Sequence, residues 1–244
     1  LGGSALGCCG SEMETPALDR LASDGIQYTT YHVNPMCSPT RASLLTGLNS
    51  HMAGMGHVAH FDPGFPGYAM EIREDALTMG DLFQEHGWAS LMIGKWHLCK
   101  DSNLSEAGPK HSWPLQKGFE RFYGILGGFT NFHQPHRLHE DNHALDIDDY
   151  PDDYYFTDDL TDQAIKMIKE LRTSDRTKPW FMYFAHGAVH AALSADHIAT
   201  KSRYSLGELQ KLPRSDPRRS ALLENGAGRG SHHGHWLDRQ QRWV

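Results

Sequence analysis

The chain has 244 residues, enough to bury a full hydrophobic core as a single domain, and it carries a formal net charge of −7 at pH 7. This negative charge, together with the lack of a Lys/Arg cluster interleaved with aromatic residues, excludes the usual nucleic-acid-binding surface, which must neutralise phosphates. No apolar run approaches the ~20 residues that a membrane span requires, so no membrane-spanning segment is predicted.

The first elements predicted along the chain are a helix and a strand. The helix begins at Pro16, which suits the first helical position after the capping residue Thr15, and ends at Gly25. Residues 26–33 are predicted to form a strand. The Gly-, His- and Pro-rich residues 51–68 are predicted to form a loop over the surface.

A second helix is predicted between Thr78 and Gly87, and a short buried strand over residues 88–93 follows it. Residues 100–153 carry scattered prolines and acidic residues among aromatics and histidines. No regular element is predicted there.

The strongest helical pattern comes next. Thr157 is the expected N-cap, acidic residues occupy the first turn, and Pro179 lies beyond the end. The predicted apolar face comprises Leu160, Ala164, Ile165, Ile168 and Leu171. A buried strand over residues 180–185 follows.

Helices that alternate with apolar strands indicate an α/β fold with a largely parallel sheet. Polar residues follow two of the predicted strands, at 94–97 and at 186–190. Because ligands of parallel sheets bind at the carboxyl ends of the strands, a site is expected there. We expect residues 1–204 to form the domain and residues 205–244 an irregular or disordered tail.

The four cysteines are Cys8, Cys9, Cys37 and Cys99. They form no Cys-x-x-Cys pair and do not resemble a disulfide framework, so reduced thiols are predicted. Cys99 is interpreted as a packing residue.

Residues 37–47 have the most informative sequence, Cys-Ser-Pro-Thr-Arg-Ala-Ser-Leu-Leu-Thr-Gly. The pattern Cys-x-Pro-x-Arg, followed by an apolar helix start, resembles the signature of the sulfatase family. Residues 92–98 (Met-Ile-Gly-Lys-Trp-His-Leu), 118–124 (Gly-Phe-Glu-Arg-Phe-Tyr-Gly) and 178–191 resemble later segments of that family, in the same order. The resemblance covers roughly residues 1–200.

The resemblance implies the α/β fold of the alkaline phosphatase and sulfatase superfamily, present as an incomplete domain whose central sheet is flanked by helices. It also implies arylsulfatase-like hydrolysis of a small-molecule sulfate ester to an alcohol and inorganic sulfate. In that chemistry a formylglycine-generating enzyme oxidises Cys37, and the hydrated aldehyde attacks sulfur.

Five residues are the candidates for this chemistry, with Cys37 as the nucleophile. Arg41 lies four residues after Cys37, so a helix would turn it back towards the diol. Lys95 would bind a sulfate oxygen, and His97 would hold the diol or relay its proton. The resemblance assigns His190 as general acid or sulfate ligand. The ordinary alternatives are a structural thiol, a surface arginine, a solvated lysine and satisfied histidines.

The resemblance further implies a calcium-type divalent cation bound by carboxylate and amide oxygens beside the formylglycine. Cys37, as formylglycine, is the one metal ligand assigned within this chain. The first carboxylate pair is expected just before Leu1, and an Asp-Asn pair is expected well beyond His190. A further sulfate-binding lysine is expected soon after His190, where the chain has Asp196 and, as a weak substitute, Lys201.

The remaining histidine clusters carry less weight. Those of the Pro-containing loop are expected to be solvated, and those near the end of the chain form a cluster by composition only. The two groups are His133, His136 and His139, and His232, His233 and His235. Residues 51–75 and 100–153 are expected to shape the pocket for the alcohol part of the substrate.

Three alternatives stand beside the sulfatase hypothesis. A phosphodiester or phosphonate hydrolase of the same superfamily would use the same site, since both substrates are tetrahedral oxyanions. A truncated, inactive fragment would at most bind an anion through Lys95 and His190. A thiol redox role is the weakest, because no resolving cysteine has redox spacing to Cys37.

Overall fold

The computed structural model describes residues 5–188 and residue 190. Its helices are α1 (Pro16–Asp24), α2 (Cys37–Thr46), α3 (Met79–Glu85) and α4 (Phe156–Ser174). Its strands are β1 (Ala89–Lys95), β2 (Arg121–Ile125), β3 (Leu138–Glu140), β4 (His143–Ala144) and β5 (Trp180–Ala185). In this part of the chain no helix is long and apolar enough to cross a membrane.

The five strands form one mixed sheet in the order β4-β3-β2-β1-β5. Strand β1 runs parallel to both β2 and β5, whereas β3 and β4 continue the sheet in antiparallel fashion. Strand β1, which lies between β2 and β5, is buried along its whole length, as its run of small and apolar residues predicts. The α/β prediction with a largely parallel core is therefore confirmed.

The ends of β1, β2 and β5 approach one another closely. Gly94 of β1 lies beside Gly124 of β2 and Ala185 of β5 in the sheet register. A Cβ atom on Gly124 would lie 1.9 Å from the carbonyl oxygen of Gly94, so only glycine fits there. This packing fixes the positions of the residues that follow the three strands.

Two predicted helices are confirmed with small changes. Helix α3 has a capping box, in which the Thr78 hydroxyl accepts from the Asp81 amide and the Asp81 carboxylate accepts from the Thr78 amide. Helix α4 begins at Phe156 instead of after Thr157, and the Phe156 amide donates to the carbonyl of Phe132. Its buried stripe comprises Phe156, Leu160, Ala164 and Met167, so the predicted apolar face was wrong at Ile165, which is exposed.

Three other predictions are corrected. Residues 26–33 form no strand and their apolar side chains are exposed, because no neighbouring strand in the described part of the chain pairs with them. Strand β5 is half-buried, since it is the edge strand of the described sheet. The segment 51–68 is only partly a surface loop, because Ala53 and Met55 are buried in the main core.

The segment without predicted elements, residues 100–153, contains three strands of the sheet. It also contributes Trp113, Phe119 and Phe122 to the core that packs against β1. The expected tail, together with Asp196, Lys201, His232, His233 and His235, lies outside the described residues.

Candidate active site

Cys37 is the first residue of helix α2 and lies beside a buried histidine. Its Sγ atom is 3.1 Å from Nδ1 of His97, which follows the end of β1. The next residue, Ser38, is buried and its hydroxyl accepts from the amide of Ala59, which fixes the helix start. In a formylglycine at this position, Sγ would be replaced by an oxygen of the hydrated aldehyde.

Arg41 lies one turn further along α2 and joins the helix to two strands. Its Nη1 atom donates to the backbone carbonyl of Lys95 at the end of β1 and to the Tyr183 hydroxyl of β5 at 3.3 Å. Its Nε–H is buried and has no partner within the described residues. The guanidinium is thus held at the same sheet edge as Cys37.

Lys95 is the last residue of β1 and is almost completely buried. Burial lowers the pKa of its ammonium group and the charge of Arg41 acts in the same direction, whereas the charge and the hydrogen bond of the Cys37 side chain oppose them, so that the pKa is about 8. Lys95 therefore contacts the side chain of Cys37, and the cationic Arg41 is held at the same sheet edge.

His97 has only 2% of its surface exposed and adopts a left-handed backbone conformation with φ of 58°. Burial, followed by the charges of Lys95, His60, Arg41 and His190, lowers its pKa to about 2. The imidazole is consequently neutral, with one nitrogen as donor and the other as acceptor. Its nitrogen beside Cys37 can accept a hydrogen bond from the side chain of residue 37.

His190 lies at the edge of this cluster. Burial and the charges of Lys95 and Arg41 lower its pKa, and its ring stacks on that of Phe129 with centroids 5.9 Å apart. The ring of Phe129 is 58% exposed. The sequence-predicted residues Cys37, Arg41, Lys95 and His97 thus contact one another, and His190 lies within electrostatic range of them.

Sequence analysis missed three residues that shape this site. His60 contacts His97, Tyr183 holds Arg41, and Gly128 lies against the His97 ring, where a Cβ atom would be 2.8 Å from Cε1 and Nε2. His60 belongs to the segment 51–68, which has no period that would place its side chains. Of these three residues, only Gly128 had a signal in the sequence, namely that it is a glycine.

His136, His139 and Cys99 make structural contacts. His139 was expected to be solvated, but it is buried on β3, with Nδ1 at 2.8 Å from the Arg137 carbonyl and its ring edge-on to Trp113. Nδ1 of His136 is 3.2 Å from the hydroxyl of Thr130. Cys99 is buried, as expected for packing, and burial raises the pKa of its thiol.

The surroundings of Cys37 do not fit a calcium ion. Calcium takes six to eight oxygen ligands, mostly carboxylates and carbonyls, whereas the side chains around Cys37 present nitrogen atoms from Arg41, Lys95 and His97. Nowhere in residues 5–188 or at 190 do three or more His, Cys, Asp or Glu side chains form a group that could hold a metal ion.

Comparison with protein families and curated proteins gives a consistent result. A family model described as Sulfatase matches residues 1–216. Arylsulfatase J of Mus musculus is 32% identical over 200 residues, which cover 78% of this chain and 31% of that protein. An arylsulfatase of Klebsiella aerogenes is 31% identical over 210 residues, 80% of this chain and 42% of that protein. The chain therefore spans less than half the length of these relatives.

Solved structures show the same fold. Ps i-CgsB in complex with k-i-k-neocarrahexaose has a TM-score of 0.66 and 22% identity, covering 92% of this chain and 50% of that chain. A protein in complex with its substrate D-glucosamine-2-N, 6-O-disulfate has a TM-score of 0.58 and 29% identity, covering 81% of this chain and 35% of that chain.

Proposed function

Since the chain belongs to the sulfatase family, we propose that it carries the nucleophile side of an active site that hydrolyses a small-molecule sulfate ester to an alcohol and inorganic sulfate. The observation that carries the proposal is the contact of Cys37 with the neutral imidazole of His97, near the cations of Arg41 and Lys95.

The nucleophile is formylglycine made from Cys37. Its formation is a two-electron oxidation in which sulfur leaves the side chain and an oxygen atom takes its place. A separate formylglycine-generating enzyme supplies the oxidant. The resulting aldehyde adds water to give a geminal diol, whose oxygens occupy the region of Sγ.

In the first step one diol oxygen attacks the sulfur atom of the sulfate ester, and the proton of that hydroxyl passes to water. The bond between sulfur and the alcohol oxygen breaks, and the departing alcohol oxygen receives a proton from His190, the candidate acid at the rim. The sulfuryl group is then bound covalently to residue 37. Lys95 and Arg41 stabilise the negative charge on the sulfuryl oxygens.

In the second step the sulfuryl anion bound at residue 37 offsets the cationic charges that lower the pKa of His97, and His97 takes the proton of the remaining diol hydroxyl at Nδ1 and passes it on to water. The carbon–oxygen bond to the sulfuryl group breaks, sulfate leaves, and the aldehyde forms again. Water then restores the diol. The sum is one ester and one water converted to one alcohol and one sulfate, with the proton of the acid returned.

The helix start supports anion binding at this position. Met36 at the N-cap of α2 provides no side-chain cap, and the positive end of the helix dipole lies at Cys37. A sulfate oxygen there meets the helix terminus and two side-chain cations. The described residues offer no set of oxygen ligands for calcium, and the two steps above use only side chains of this chain and water.

The test is hydrolysis of a chromogenic aryl sulfate by the chain co-produced with a formylglycine-generating enzyme, with conversion of Cys37 measured by mass spectrometry. Cys37→Ala should abolish hydrolysis, whereas Cys9→Ala, at an exposed cysteine, should leave it unchanged. A matched aryl phosphodiester tests the related hydrolase, and faster phosphodiester cleavage would overturn the sulfatase proposal. A fully converted chain with no activity would favour the inactive fragment.

A further inference from the structure

The catalytic candidate His97 has a second side-chain partner besides Cys37. This partner is a histidine, and it lies at the ring nitrogen that faces away from Cys37. Nδ1 of His60 lies 3.4 Å from Nε2 of His97, while Nδ1 of His97 faces Sγ of Cys37 at 3.1 Å. The two rings are nearly parallel, with planes 5° apart and centroids separated by 5.5 Å. Since the nitrogen atoms are closer than the centroids, the ring edges face each other.

The tautomer of His97 follows from these two contacts. A neutral imidazole carries one N–H, so its two nitrogens must play opposite roles. If Nε2 carries the proton and donates to Nδ1 of His60, the lone pair of Nδ1 is directed at residue 37. That is the arrangement needed to take a proton from the diol, whereas the other tautomer would direct an N–H at it.

The environment leaves few other partners for Nε2 of His97. Gly128 lies against the same ring edge, because a Cβ atom built there would be 2.8 Å from both Cε1 and Nε2. His60 itself is exposed, so its own Nε2–H can be satisfied by water. The pair therefore links a buried imidazole to the protein surface through one hydrogen bond.

We propose that His60 is a positioning residue, which accepts a hydrogen bond from His97 Nε2–H and so keeps the Nδ1 lone pair of His97 directed at the side chain of residue 37. The inference rests on the proposed function, since it concerns the residue that acts on the formylglycine diol. It adds a partner that no sequence motif indicated.

The first test is the tautomer of His97, which does not require activity. In the ¹⁵N-histidine-labelled chain, the His97 signals are identified by their loss in His97→Gln. We expect a pyridine-type shift at Nδ1 and a pyrrole-type shift at Nε2. In His60→Ala the two shifts should move towards each other as both tautomers become populated. A protonated Nδ1 in the wild type, or an unchanged pattern in His60→Ala, would overturn the proposal.

The second test uses the converted enzyme and three variants. His60→Ala and His60→Phe should each lower kcat about tenfold, the effect of losing one orienting hydrogen bond, with KM nearly unchanged. His60→Asn keeps an acceptor at the position of Nδ1 and should restore most of kcat. Loss of rate in His60→Asn equal to that in His60→Ala would contradict the hydrogen-bond role.

His57→Ala is the matched control, because His57 belongs to the same loop and its ring contacts Phe61, not His97. It should leave kcat unchanged. If the wild-type chain shows no sulfatase activity, the proposed function fails, but the ¹⁵N measurement still decides whether His60 sets the tautomer of His97.

Discussion

Gly128 and its neighbour Gly127 differ sharply in the space around them. A Cβ atom on Gly128 would lie 2.8 Å from the ring of His97, whereas on Gly127 it would meet its nearest atom only at 4.0 Å. Gly128→Ala should therefore displace the His97 ring and lower kcat/KM about a hundredfold, since small misplacements of a catalytic group carry such costs.

Gly127→Ala provides the control for this change and should keep kcat/KM near the wild-type value. Thermal melts of both variants would show that the folded state is retained. Equal losses of kcat/KM in the two variants would mean that general loop stiffness, and not the His97 contact, is responsible.

A second prediction concerns Arg41, whose planar guanidinium donates hydrogen bonds to two groups on different strands. Lysine in its place could reach only one of the Lys95 carbonyl and the Tyr183 hydroxyl, and would lose the remaining N–H donors. Arg41→Lys should weaken sulfate binding, measured by calorimetry, about thirtyfold or more. Tyr183→Phe should weaken it only severalfold, and the reverse order would contradict this account.

The sequence placed the candidate residues Cys37, Lys95 and His97 at the ends of predicted elements, and their catalytic roles stay predictions. Cys37 and Arg41 lie one helical turn apart, and Lys95 and His97 follow the end of a buried strand. The role of His60 could not be predicted, because its segment has no period that would place its side chain and none of the motifs includes it.

At the scale of elements, Glu71 connects its own loop to residues 100–103, which include a short 3-10 helix, and to residues 111–112. It has 8% of its surface exposed and bonds Lys100 Nζ at 2.8 Å, His111 Nε2 at 3.2 Å, Asn103 Nδ2 at 3.0 Å and Ser112 Oγ at 3.1 Å. Burial acts to raise the pKa of its carboxyl group, but these partners outweigh it and hold the pKa below 4.5.

Glu71→Gln should lower the free energy of unfolding at neutral pH by about 1–2 kcal/mol, because it removes the charge that Lys100, whose side chain is 36% exposed, and the buried Asn103 and Ser112 bond. The carboxylate is more acidic in the folded state, so its contribution is complete above pH 4.5 and is lost as pH falls further. Urea unfolding should thus show wild type and variant converging in acid.

Glu74→Gln, at an exposed residue of the same loop, is the control and should change the unfolding free energy little. A difference between wild type and Glu71→Gln that stayed constant down to strongly acidic pH would show that the effect is not due to the ionised carboxylate.

The elements that sequence analysis missed are those whose formation depends on distant partners. Strands β2, β3 and β4 are two to five residues long and lie in a Pro-rich, acidic segment, so their own sequence favours no element. Residues 26–33 show the opposite case, because their aromatic and β-branched residues favour a strand and the described sheet provides no edge beside them.

At the scale of the whole molecule, the α/β order of helices and strands could be predicted because it requires only local periods and the right-handed parallel connection. The structure of the long connecting segments could not be predicted. These irregular segments contribute Trp113 and Met55 to the core, and tertiary packing alone places those side chains there. Stability is therefore expected to be uneven along the chain.

Amide hydrogen exchange would measure that unevenness. Residues 26–33 form no strand, and the side chains of Ile26 and Val33 are 83% and 62% exposed, whereas β1 is buried and paired on both sides. Amides of β1 should exchange at least about a thousandfold more slowly than those of residues 26–33, because they open only with global unfolding. Protection of residues 26–33 that grows with protein concentration would contradict this expectation and would mean that this apolar segment pairs between copies of the chain.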